Sequence, residues 1–128
     1  MKSKPFRLLL AGSSLIMALG GPAHAAVFNK AAAILAPANL PPFYTGSFKA
    51  LWLADSATLV TLALAFGLVA FRPTMASRPV VLLLALIPAA TAGLIYHFVG
   101  GFFAAHLLMA AALAAFAAGL LYPATTPS

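Results

Sequence analysis

The chain has 128 residues, of which 64% are hydrophobic and 6% charged, and its mean hydropathy is +1.08. So little polar surface cannot cover a water-exposed globule, which excludes an ordinary soluble domain and indicates that the solvent is lipid. The net charge of +6 comes from scattered lysine and arginine residues, which argues against a nucleic-acid partner, and the absence of cysteine excludes disulfides and thiolate metal sites.

The N-terminal segment begins with three basic residues, continues with the apolar run LLLAGSSLIMAL, and ends in GGPAHA. This order, with a small-x-small site at residues 23–25, is typical of a secretory signal peptide. Residues 8–28 are also long enough to remain as a first transmembrane helix. Residues 1–25 are therefore interpreted either as a cleaved, signal-peptide-like segment or as the first helix, and the sequence leaves both readings open.

Residues 29–47 form a less hydrophobic, proline-rich stretch between the first and second apolar segments. Three prolines prevent one long helix there, because proline lacks the backbone N–H and clashes with the preceding turn. A short interfacial helix over residues 30–35 is compatible with the pattern, with Asn29 as its N-cap. We expect this stretch to be an extracytoplasmic loop.

Three further apolar segments, residues 50–71, 79–99 and 102–122, each have about the 20 residues that a helix needs to cross the hydrocarbon core. Helix is expected because strands in lipid would leave backbone groups unpaired. The sequence therefore predicts an all-α fold, an integral membrane bundle of four transmembrane helices that forms a single membrane domain over residues 1–128. The bundle would have three helices if residues 1–25 were removed.

The third and fourth apolar segments are separated only by the short stretch VGGFF. Gly100 and Gly101 can reverse the chain without side-chain clashes, so the two segments are predicted to form an antiparallel hairpin. Pro88 frees the carbonyl of Leu84 and should kink the third segment. The nearby hydroxyl of Thr91 is a candidate to repair that gap.

The cations predict the orientation of the bundle. The positive-inside rule assigns five of them to the cytoplasm and leaves Lys30 and Lys49 outside. Both chain termini are then cytoplasmic, and a bacterial-type inner (plasma) membrane is the expected location. The five cytoplasmic cations are Lys2, Lys4, Arg7, Arg72 and Arg78.

Polar groups inside the predicted membrane region form a candidate cluster of Asp55, His97, His106 and His24. In the predicted topology all four fall in the outer half of the membrane, and Asp55 is the only acidic residue in the chain. A buried acid normally faces a partner or a wet cavity, because exposing it to lipid costs at least about 2.5 kcal/mol. The cluster is interpreted either as a structural hydrogen-bonding group or as a site for a proton, a metal or a quinone-like ligand.

Recognisable catalytic and metal-binding motifs are missing from the sequence. Histidine and carboxylate suit zinc, iron or copper, but no HxxxH or HExxH spacing supports a preset site, and the two histidines of the hairpin lie too near its turn to bracket a haem. We therefore expect no metal and no cofactor. The outer aromatic residues, Trp52 among them, are interpreted as an interfacial belt.

Small residues recur along the fourth apolar segment, where they would let neighbouring helices approach closely. Together with the missing catalytic motifs, they favour a non-enzymatic accessory or assembly component that packs against itself or against a larger membrane complex. The alternative is a small transporter or redox component that uses the Asp/His cluster. Apart from the lipid bilayer, the expected partners are a membrane protein or a second copy of the chain.

Overall fold

The computed structural model describes residues 3–122, which are almost entirely helical and include no strand within that range. Four of the helices are long and apolar enough to cross a membrane, which confirms the predicted all-α bundle of a multi-pass membrane protein. The helices are α1 (Ser3–Ala26), α2 (Phe28–Leu35), α3 (Pro42–Phe71), α4 (Arg78–Phe98) and α5 (Phe103–Leu120), with 3₁₀ turns at Ala36–Ala38 and Pro73–Met75.

Helices α1 and α5 form the centre of the bundle. Helix α1 packs against both α3 and α5, helix α5 also packs against α4, and α3 and α4 make few contacts with each other. The inward face of α1 is fully buried and consists of Phe6, Leu10, Ser13 and Met17. We call the end that carries the α3–α4 turn the Arg72 end, and the end that carries the α4–α5 turn the Gly100 end.

Two consecutive serines tie α1 to its neighbours. The Ser13 hydroxyl donates to the carbonyl oxygen of Ala111 in α5 at 2.8 Å, and the Ser14 hydroxyl donates to that of Ala63 in α3 at 2.6 Å. Hydrogen bonds between helices stabilise membrane bundles, where burial of apolar side chains contributes little to association. Helix α1 is therefore joined by polar contacts to the helices on both of its sides.

The predicted hairpin of α4 and α5 is present, and the two helices pack against each other. Gly100 has a φ of +90°, which L side chains rarely adopt, and its carbonyl accepts a hydrogen bond from the Phe102 N–H at 2.8 Å. Gly101 has no such φ, so only one of the two glycines is required by the backbone. The sequence correctly located the turn but assigned its conformation to both residues.

The small residues of α5 pack against other helices of the same chain. Helix α5 meets α1 on one side and α4 on the other, and its buried positions are mostly alanine. Short side chains let the backbones of these three helices approach each other. The buried small residues of α5 are Ala105, Ala111, Ala112, Ala115, Ala118 and Gly119.

Helix boundaries in the loop between α1 and α3 differ from the prediction in two places. Helix α3 begins at Pro42, eight residues before the predicted start at residue 50, since proline is well tolerated in the first turn of a helix. The short helix is present as α2, but its N-cap is Val27, without a side-chain cap hydrogen bond in the described range. The prediction of Asn29 as N-cap was therefore wrong, because α2 begins one residue before it.

Thr91 does not repair the gap left by Pro88. Its hydroxyl donates to the carbonyl oxygen of Ile87 at 3.0 Å, not to that of Leu84. Threonine in a helix commonly bonds the carbonyl four residues earlier, and Thr91 does so here. Pro88 itself is buried within α4.

Candidate functional site

A cavity of about 600 Å³ lies among α1, α3, α4 and α5 at the Gly100 end. On α1 its lining runs from Ile16 to His24, and Val27 follows just beyond the helix. The helical part of that stretch is about 12 Å long at 1.5 Å per residue, less than half of a hydrocarbon core about 30 Å thick. The cavity is therefore confined to the half of the bundle at the Gly100 end.

The cavity lining is almost entirely apolar. Side chains with oxygen or nitrogen come from four residues, His24, Trp52, Asp55 and Thr91. His24 lies in the last turn of α1, and Asp55 lies on α3 beside it. The remaining lining residues are Ile16, Met17, Gly20, Val27, Phe48, Leu51, Leu59, Leu94, Ile95, Val99, Phe102, Ala104, Leu107 and Leu108.

The cavity is open to its surroundings along two helices. Leu51 of α3 and Leu94 of α4 both line it, yet they expose 70% and 59% of their surface. In a membrane-spanning bundle such apolar rim residues face lipid. Because α3 and α4 make few contacts with each other, the cavity is not closed by direct packing of these two helices.

His24 is held against α3 by Trp52. The imidazole and indole rings stack with their centroids 4.2 Å apart and their planes 12° apart. The indole N–H of Trp52 also donates to the backbone carbonyl of His24 at 2.9 Å. This bond satisfies one of the carbonyls that a helix C-terminus leaves without an intrahelical partner.

Ser56 contacts the His24 ring and the Trp52 carbonyl, and these two contacts favour one tautomer of the neutral ring. The Nδ1 atom of His24 lies 2.8 Å from the Ser56 hydroxyl oxygen, which is also 3.3 Å from the carbonyl oxygen of Trp52. The single hydroxyl proton satisfies both contacts only if Ser56 donates to that carbonyl and accepts from Nδ1–H. Asp55 Oδ2 lies 3.8 Å from Nδ1 and favours the same tautomer. In the neutral ring, Nε2 is then the unprotonated nitrogen.

The sequence spacing on α3 explains this arrangement. Trp52, Asp55 and Ser56 are three and four residues apart, which places them on one face of the helix, opposite the end of α1. Close approach of the two helices is possible because Gly21 of α1 lies against Ser56. Asp55 and His24 were predicted from the sequence, whereas Trp52 was interpreted only as part of an aromatic belt. The spacing of Trp52 and Ser56 was the available signal.

The structure brings together two of the four members of the candidate cluster. His24 and Asp55 share the cavity wall, whereas His97 and His106 are not among its described lining residues. His106 Nδ1 lies 2.8 Å from the Tyr96 hydroxyl, which joins α5 to α4 across the hairpin. His97 is exposed, and its ring packs edge-on against Phe98 at 4.6 Å.

Metal binding receives no geometric support from the described residues. Within residues 3–122, no group of three histidine, aspartate or glutamate side chains is close enough to hold one ion. The His24–Asp55 pair offers two ligand types, fewer than the three or four protein ligands of typical zinc sites. The arrangement instead provides a small polar group at one end of an apolar cavity.

Comparison with protein-family models, curated proteins and solved structures finds no match. Function must therefore be argued from the chemistry of the site, because an all-helical membrane bundle is compatible with many functions. The relevant chemistry is that of the cavity and of the His24–Asp55 pair on its wall.

Proposed function

We propose that this protein is a non-enzymatic, multi-pass membrane protein that binds a long-chain amphiphile in the cavity. The observation that carries the proposal is the apolar cavity with the His24–Asp55 pair on its wall. Binding pockets for small molecules are typically about 300–1,000 Å³, mainly apolar, with a few polar groups that fix orientation. The cavity fits that description in both volume and lining.

The proposed location is the outer leaflet of a bacterial inner membrane. In the described range, Lys4, Arg7, Arg72 and Arg78 lie at the Arg72 end, and the positive-inside rule assigns that end to the cytoplasm. The Gly100 end then faces the extracytoplasmic side. The cavity opens to the outer half of the bilayer, where an amphiphile has its polar end at the membrane surface.

The shape of the cavity favours a lipid-like chain over a partner helix. A transmembrane helix about 10 Å across and about 30 Å long has roughly four times the volume of the cavity. The cavity also ends near Ile16, so a spanning partner helix would lack a groove in the other half of the membrane. A hydrocarbon chain extending from the surface to the middle of the bilayer matches the lining in length.

Polar and apolar groups follow the same order in the cavity as in an amphiphile. His24 lies near the C-terminus of α1 at the Gly100 end, whereas Ile16 and Met17 lie deeper. A ligand with its polar group beside His24 would place its chain against apolar side chains. Burial of that chain gains little over lipid, so the polar contacts would provide most of the selectivity.

An accessory or assembly role is less well supported than ligand binding. It was predicted from the small residues of α5, most of which pack against α1 and α4 within the chain. They therefore provide little free surface for a partner. A second copy or another membrane protein in the cavity remains a distinct outcome of the experiment below.

Native mass spectrometry of protein extracted in a mild detergent tests the proposal. We expect an added mass of several hundred daltons on the wild-type chain, as for a lipid-like ligand. Gly20→Leu should remove it, because Gly20 lines the cavity and a Cβ there would meet no described atom within 4 Å. The leucine side chain would then occupy ligand space.

Gly12→Leu is the matched control. Gly12 also lies on α1 with open space around its Cβ among the described residues, but it is not among the residues that line the cavity. This variant should keep the added mass. Equal ligand retention by both variants would contradict the proposal, and an added mass of 13.1 kDa would indicate a second copy of the chain instead.

A further inference from the structure

We infer that the polar end of the ligand is a hydrogen-bond donor, neutral or cationic, such as an alcohol or an amine, and not an anion. This inference rests on the proposed function, because it specifies the ligand of the same cavity. It follows from the polar side-chain atoms of the cavity wall that remain available to form a hydrogen bond with a ligand. With His24 neutral and protonated on Nδ1, those atoms are hydrogen-bond acceptors.

His24 contributes the first acceptor. With the Ser56 hydroxyl donating to the Trp52 carbonyl, the neutral ring carries its proton on Nδ1 and a lone pair on Nε2. Nε2 has no hydrogen-bond partner within residues 3–122, and no side-chain nitrogen or oxygen in that range is both buried and unpartnered. The atom is therefore accessible, on a side chain that is 30% exposed.

Asp55 contributes the second acceptor. An ionised carboxylate accepts hydrogen bonds and donates none. Its side chain is 32% exposed and lines the cavity, so a ligand can reach it. Its negative charge would attract an ammonium group and repel a carboxylate or phosphate, most strongly in a site of low dielectric constant.

The side-chain donors of the cavity wall are already used by the protein. The Trp52 indole N–H bonds the carbonyl of His24, and the Thr91 hydroxyl bonds the carbonyl of Ile87. Thr91 is left with an acceptor oxygen on α4. Within the described residues, the polar side chains of the lining can therefore accept hydrogen bonds from a ligand that has a donor. They provide no free donor for a ligand that has only acceptors.

Trp52 provides the readout, because it is the only tryptophan in the chain and lines the cavity. Protein in phosphatidylcholine nanodiscs would be titrated with four probes that share one chain: hexadecanol, hexadecylamine, hexadecyl methyl ether and hexadecanoate. We expect saturable fluorescence changes with the alcohol and the amine. Each should bind about tenfold or more tightly than the ether, since a hydrogen bond to a charged group contributes about 1.5–3 kcal/mol.

Asp55→Asn tests the origin of the selectivity. It removes the charge, retains similar size and adds amide donors, so the preference for amine over hexadecanoate should fall by about tenfold or more. Gly12→Leu should leave the wild-type order of affinities unchanged. An unchanged preference for the amine in Asp55→Asn would overturn the assigned role of the carboxylate.

The titration separates failure of this inference from failure of the proposed function. Saturable binding of all four probes with equal affinity would overturn the donor inference and leave ligand binding intact. Tightest binding of hexadecanoate would do the same. Quenching that rises without saturation for every probe, equally in wild type and Gly20→Leu, would overturn both.

Discussion

Gly21 of α1 lies so close to α3 that an added Cβ would be 2.8 Å from Val60 Cγ2 and 3.0 Å from the Ser56 carbonyl oxygen. Real Cβ atoms essentially never show the shorter distance, so the two helices could not keep their separation with any other residue at this position. The contact is three residues before His24 on α1. It therefore also fixes the position of His24 against Ser56.

Gly21→Ala should destabilise the bundle by about 1–3 kcal/mol, the usual cost of an extra carbon in a packed interface. Thermal unfolding in detergent would measure the change. Gly12→Ala is the control, because its Cβ would meet no described atom within 4 Å, and it should unfold near the wild-type temperature. Equal destabilisation by both would contradict contact with α3 as the cause, since the higher helix propensity of alanine favours both substitutions.

Gly100→Ala should be more harmful than Gly101→Ala. Gly100 has a φ of +90°, and a side chain in the left-handed region costs about 1–2 kcal/mol, whereas Gly101 has no positive φ and open space among the described residues. The loss should appear as a lower unfolding temperature and weaker cysteine-pair crosslinking between positions 96 and 106, introduced into this cysteine-free chain. Identical behaviour of the two variants would contradict the assigned role of Gly100.

We expect α1 to remain covalently attached to α3 in the mature protein. Its face of Phe6, Leu10, Ser13 and Met17 is fully buried, and cleavage after Ala25 would release it from the centre of the bundle. An epitope tag ahead of α1 should run with the full-length chain on denaturing gels of membrane fractions. A product shorter by about this segment, lacking the tag, would favour the signal-peptide reading.

Reporter fusions test the proposed orientation. A fusion after Met75 should give a cytoplasmic signal and one after Thr45 a periplasmic signal, because cations near the Arg72 end bias insertion. Arg72 and Arg78 flank the first site, so replacing both with glutamine should lower the cytoplasmic signal there. A periplasmic signal after Met75 in the wild type would invert the orientation and move the cavity to the inner leaflet.

Much of the fold could be predicted because its causes are local. Apolar length marked the four spans, and Gly100 marked the hairpin. The start of α3 was missed because residues 43–49 are not apolar enough to belong to a span, although proline at residue 42 permits a helix to begin there. Helix α3 is about 45 Å long at 1.5 Å per residue, so it extends beyond the hydrocarbon core.

The candidate site was predictable only in part, because it depends on which helices become neighbours. Sequence topology placed Asp55, His24, His97 and His106 in the outer half of the membrane, but this placement does not determine the order of helices around the bundle. The packing of α1 against α3 selected His24 as the neighbour of Asp55. The hairpin places His106 near Tyr96. This contact could have been predicted from the sequence once the turn was located.

The adjacent serines of α1 also constrain the order in which the bundle can assemble. Ser14 can bond its acceptor once α3 has been synthesised, but the acceptor of Ser13 is in α5, the last helix within residues 3–122. Until α5 enters the membrane, the Ser13 hydroxyl lacks its native acceptor. The side of α1 that packs against the alanines of α5 also lacks its native neighbour. A chain stalled before α5 would thus lack the hydrogen bond between Ser13 and Ala111, and the Ser13 hydroxyl would be left to bond a carbonyl of its own helix.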